Sequence, residues 1–154
     1  MKLRLFPLLA TLALAACAPR LIPGTDIVDN QESRAILDVM QQYRAALEGR
    51  NANKILELAS EQYKDNSGTA DPADDLDYAT LRRVLPQRME KLEDVSVDMN
   101  VRKITVDRDV ANVIYYFNIR YRMPKYTGKP QSEGDLQQMW LKKVGGQWKI
   151  VSGL

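Results

Sequence analysis

Any chemistry in this chain is done without histidine, because none occurs among its 154 residues. That removes Ser-His-Asp and Cys-His nucleophilic arrangements, histidine metal ligands and an imidazole switch near neutral pH. Acid–base work then falls to Asp, Glu, Tyr or Lys with displaced pKa values. Seven tyrosines stand against two phenylalanines, and Tyr43, Tyr63, Tyr78, Tyr115 and Tyr121 all sit on the apolar phase of their segments. Phenol rings around one hollow could orient a small apolar ligand by their hydroxyls; the alternative is a set of core aromatics with their oxygens at the rim. The carboxylates are less well placed. Asp98 has the phase opposite Val97 and Met99, Asp38 lies off the stripe of its helix, and Asp65 has no identifiable partner. The run Asp71, Asp74, Asp75 and Asp77 fails as an EF-hand loop, since counting from Asp71 puts Leu76 sixth and Arg82 twelfth, where glycine and glutamate are needed. These acids better suit a helix N-terminus. No catalytic residue, metal or cofactor is assigned.

The one cysteine, Cys17, closes the string Leu14-Ala15-Ala16-Cys17. Lys2 and Arg4 precede it as a positive region, and Leu5 to Ala15 is nearly all apolar but too short to cross a bilayer. Together these residues resemble the signal and lipobox of bacterial lipoproteins. The resemblance implies cleavage between Ala16 and Cys17, a diacylglycerol on the thiol and an acyl chain on the new amine. An ordinary secretory signal cut nearby is the alternative, and it would leave an unpaired thiol on an exported protein. Ala18, where an aspartate would favour inner-membrane retention, points to the outer membrane facing the periplasm. With no second cysteine there is no disulfide, so stability must come from packing. Lys2 and Arg4 leave with the signal, so basic and acidic residues become equal in number. No basic stretch interleaves with aromatics, and nucleic acid is not an expected partner.

Residues 1–16 are thus read as signal, 17–29 as a lipidated tether containing Pro19, Pro23 and Gly24, and 30–154 as one domain. Asp29 and Glu32 have capping-box spacing, and Ile36, Val39, Met40, Tyr43 and Leu47 then trace one helical face up to Gly49. Asn51 can cap a shorter helix with Ile55, Leu58, Ala59 and Tyr63 inward. Asp75 or Asp77 opens a third, with Tyr78, Leu81, Leu85, Met89 and Leu92 on one side and Pro86 predicting a kink or break. From Val95 the period is two. The phase slips before Ile104, which predicts a bulge. Asp107-Arg108-Asp109 turns the chain into a long strand with Ala111, Val113, Tyr115, Phe117, Ile119 and Tyr121 on one face. Residues 123–135 read as a long loop, Leu136 to Val144 as a strand, Gly145-Gly146 as a hairpin turn and Gln147 to Val151 as the last strand.

The fold class expected is α+β, three N-terminal helices packed in a strongly curved antiparallel sheet, a cystatin-like cone. The Gly49-Arg50-Asn51 helix junction, the segment from Val106 to Val113 and the ending from Leu141 to Ile150 resemble the nuclear transport factor 2-like, or SnoaL-like, superfamily. Such cones place a pocket between helices and concave sheet, which here implies Tyr43, Tyr63, Tyr78, Tyr115 and Tyr121 as its candidate lining. Ile114, Tyr116 and Trp140 share the opposite phase and form a candidate interface for a second copy or an envelope protein. The expectation is a membrane-anchored, non-catalytic binding or assembly module. A carrier of a small apolar ligand is the alternative, and a histidine-free isomerase or hydrolase the third reading.

Overall fold

Asn30, one residue after the expected Asp29, starts the first helix. Its backbone is extended and its side chain accepts from the Ser33 N–H at 2.8 Å, capping α1 (Gln31–Glu48). Asp29 instead receives two bonds from the Arg34 guanidinium, at 2.5 and 2.9 Å, and Arg34 holds its carboxyl below the usual range. The computed structural model describes residues 19–66 and 75–154. Ala16 and Cys17, with the cleavage and acylation expected there, lie outside the described residues, as do Asp71 and Asp74. The second half of the stretch read as a tether is folded: Leu21 bridges Val28, the Asp29 N–H donates to the Arg20 carbonyl at 2.6 Å, and Ile27 is buried.

The expected apolar face of α1 is the buried one, from Ile36 to Leu47. Arg50 takes a left-handed φ of 51°, which breaks the helix, and Asn51 accepts from the Lys54 N–H at 2.9 Å to begin α2 (Ala52–Leu58). Asp77, rather than Asp75, caps α3 (Tyr78–Glu90) through the Thr80 N–H at 2.8 Å. Pro86 lies inside α3, which continues through it as one helix rather than two. A two-stranded pair, β1 (Lys64–Asp65) and β2 (Leu76–Asp77), separates α2 from α3, so the helices are not consecutive.

Four antiparallel strands follow in the order of the chain: β3 (Glu93–Asp107), β4 (Val110–Arg122), β5 (Pro130–Val144) and β6 (Gln147–Ser152). The bulge expected before Ile104 falls between Val101 and Lys103. Loop 123–135 is shorter than expected, because β5 begins at Pro130 and pairs residue for residue with β4 from Arg122↔Pro130 onward. Pro130 to Asp135 carries no apolar alternation, since that end of the sheet extends past the buried core. Backbone pairing holds it there. Gly134 sits where an added Cβ would meet the Asn118 amide nitrogen at 2.8 Å and the Tyr116 hydroxyl at 3.3 Å.

The helices cover one face of this sheet, an α+β arrangement. Val97, Ala111, Val113, Tyr115, Met139, Leu141 and Ile150 point into the shared core with Ile36, Met40, Ile55 and Leu81. Across the β5–β6 end, Glu32 accepts from the Trp148 indole N–H at 2.7 Å and from the Lys143 ammonium at 2.6 Å. These two donors, Lys143 first, hold its carboxyl below the ordinary 4.5. A depressed folded-state pKa adds stability above the unfolded value, and that stability is lost as pH falls through the folded one. We expect thermal melts of Glu32→Gln to lie below wild type at pH 7 and to converge with it only once pH has fallen below the ordinary carboxylate range; equal melting temperatures at pH 7 would refute the clamp.

Candidate functional site

A cavity of about 690 Å³ lies between α1, the β1–β2 pair and the sheet. α1 supplies Tyr43 and β4 supplies Tyr115 and Phe117 from its concave phase. β1 and β2 supply Asp65 and Leu76, β5 gives Gln137 and Trp140, and the end of β6 with the two residues after it closes the remaining side through Ser152, Gly153 and Leu154. Tyr115 and Phe117 stand edge to face, with ring centroids 6.4 Å apart and planes at 87°, and so make a corner of the cavity.

The hydroxyls of Tyr43 and Tyr115 make no hydrogen bond among the described residues. Burial pushes the Tyr115 phenol up to about 12, and burial with the nearby Tyr115 pushes Tyr43 higher. Both therefore stay protonated in neutral water. They are hydrogen-bond donors facing a cavity, not bases.

The carboxylate on the cavity wall is engaged differently. Asp65 Oδ2 accepts from the Gly153 N–H at 2.5 Å, the Tyr63 hydroxyl at 3.2 Å and the Ser152 hydroxyl at 3.3 Å. The Tyr63 oxygen in turn accepts from the Leu154 N–H at 3.2 Å, and burial raises the Tyr63 phenol. Gly153 lies at φ +96°, with the Gln138 carbonyl oxygen where a Cβ would go. A tyrosine and a carboxylate do meet here at hydrogen-bonding distance, as acid–base chemistry would require. Their bonds go to the Ser152–Leu154 segment, so the pair acts as a clamp that builds the cavity wall.

Of the five tyrosines expected around a pocket, Tyr43 and Tyr115 line this cavity. Tyr63 is buried behind it, and Tyr78 packs half-buried against the core. Tyr121 lies at the far end of β4, where its hydroxyl donates to Gln131 at 3.3 Å and to Glu133. Asp98 and Asp38 are exposed, Asp38 accepting from Gln42 at 2.6 Å. Sequence reading placed Phe117 on the inward face of β4 without naming it as lining, and missed the partners of Asp65 and the Ser152–Leu154 wall. The long β4 alternation was the signal for Phe117. On the other face of the sheet, Ile114 is half-buried, while Tyr116 (44% exposed), Leu136 (59%) and Trp140 (41%) form an apolar strip with Val110 and Val144. Trp140 is also among the residues lining the cavity.

Fold and site together define an α+β cone with a ligand-sized cavity between α1, the β1–β2 pair and the sheet. The SnoaL-like domain family matches residues 36–153, and the chain belongs to that family. Among solved structures, a conserved protein from Planctomyces limnophilus superposes with a TM-score of 0.68 at 10% identity, covering 79% of this chain and 92% of that one. A ketosteroid isomerase-like protein from Erwinia carotovora atroseptica gives 0.67 at 16% identity over 81% and 95%. A nuclear transport factor 2-like superfamily protein from Salmonella enterica gives 0.66 at 13% identity over 79% and 89%. At such identities the likeness is one of fold. No curated protein matches the chain.

Proposed function

We propose that this chain is a lipid-anchored binding protein whose cavity takes a small, largely apolar molecule bearing a hydrogen-bond acceptor. The observation that carries the reading is the Tyr43 and Tyr115 pair: two phenol donors on largely buried rings, open to the cavity and without a protein partner among the described residues, in an aromatic hollow. Two fixed donors on an otherwise aromatic wall suit an acceptor such as a carbonyl oxygen that displaces cavity water from them. Binding fits better than acid–base turnover because Asp65, the carboxylate on the wall, is committed to Tyr63, Ser152 and Gly153.

The test is calorimetry with 1-tetralone, a bicyclic aromatic ketone. Each of Tyr43→Phe and Tyr115→Phe should weaken binding about fivefold, the worth of one hydrogen bond of about 1 kcal/mol. No binding by wild type, or equal affinity in the double variant, overturns the reading.

The apolar strip favours a second role for the opposite face, docking a second copy or an envelope protein. Tyr116→Arg leaves the cavity lining untouched and should lower the sedimentation coefficient of any assembly formed through that face. An unchanged coefficient in a folded variant removes that role.

A further inference from the structure

The charge and ring content of the cavity narrow the ligand further. Tyr43, Tyr115 and Phe117 line it from the concave side, with Trp140 of the opposite phase of β5 also among the lining residues, yet among the described residues no lysine or arginine does, in a chain that carries 22 of them. Among the described residues, Asp65 is the one charged side chain of the lining. The adjoining hollow shares Asp65, Asn66, Leu76 and Ser152 with the cavity and adds Asp75 and Asp77 against Lys64. On β5, Asp135 stands directly across from Phe117. A negative potential at the mouth and aromatic faces within, without a competing cation, is the environment that attracts an alkylated ammonium group. Anionic ligands meet the opposite: carboxylates at the entrance and no basic partner inside.

We infer that the ligand is an organic cation, its alkylammonium head seated against the rings of the Tyr115–Phe117 corner while an acceptor oxygen takes the tyrosine hydroxyls. This rests on the binding reading above and adds the charge of the ligand to it. The ion–quadrupole attraction acts through the ring faces, so hydroxyl loss and ring loss should have different effects.

The experiment compares acetylcholine with 3,3-dimethylbutyl acetate, the same shape with a carbon in place of the charged nitrogen, by calorimetry on the purified protein. Acetylcholine should bind at least fivefold tighter. Phe117→Leu should reduce that ratio at least twofold, and the volume-conserving Phe117→Met provides a second variant if Phe117→Leu does not fold. Tyr115→Phe should weaken both ligands and leave the ratio unchanged. If the neutral ester binds as well as the cation, the inference fails and the binding reading stands. If 1-tetralone and both esters fail to bind, the binding reading fails and the inference with it.

Discussion

Leu141→Ala loses about 3 kcal/mol of stability, and its melting temperature falls by roughly 10 °C. The side chain is fully buried (0% exposed) on β5, paired with Ala111 on β4 and with Ile150 on β6, both equally buried. Truncation there opens a hole in the middle of the concave face, and a small neighbour such as Ala111 cannot fill it. A volume-conserving Leu141→Met should cost about 1 kcal/mol. Leu136, five residues earlier on the same strand, lies on the opposite phase and is 59% exposed. Leu136→Ala should therefore change stability by no more than about 0.5 kcal/mol. Urea unfolding of the three variants checks this. A Leu141→Ala chain within about 1 kcal/mol of wild type would mean that the helices do not close over β5.

That contrast between two leucines shows why the sheet was readable. Alternation assigns each residue to a face, and a register slip would invert every assignment, so Val113, Tyr115 and Leu141 had only one consistent placement. The bulge beside Val101 was legible for the same reason, as a break in phase. Asn51 was legible through local cap chemistry. The β5 extension from Pro130 to Asp135 was not, because backbone bonds to β4 hold it and those leave no side-chain period. The cavity was half visible. Tyr43 and Tyr115 lie on strong apolar stripes, whereas the Asp65 clamp joins residues 87 and 88 positions apart and the Glu32–Trp148 bond spans 116. No local pattern encodes such pairs. Glu32 in particular was read as half of a capping box, when its carboxylate serves the β5–β6 end of the sheet.

On the proposed lipid anchor, Cys17→Ser should release the chain from the membrane and abolish incorporation of labelled fatty acid. The expectation follows from the Leu14-Ala15-Ala16-Cys17 string and the short apolar segment before it. The effect is all-or-none because hydrophobic anchoring is worth roughly 0.8 kcal/mol per buried CH₂, so losing every acyl chain removes far more than any protein–lipid contact could restore. Label in the serine variant, or none in wild type, refutes lipid attachment and returns the ordinary secretory signal. The cavity should be indifferent to this change, since its lining begins at Tyr43 and its walls are held by Asp65 and the Ser152–Leu154 segment. Released Cys17→Ser protein should thus bind acetylcholine with wild-type affinity. On the proposed reading, anchor and site are separable: Cys17 would decide where the cone resides, and a different set of residues what it holds.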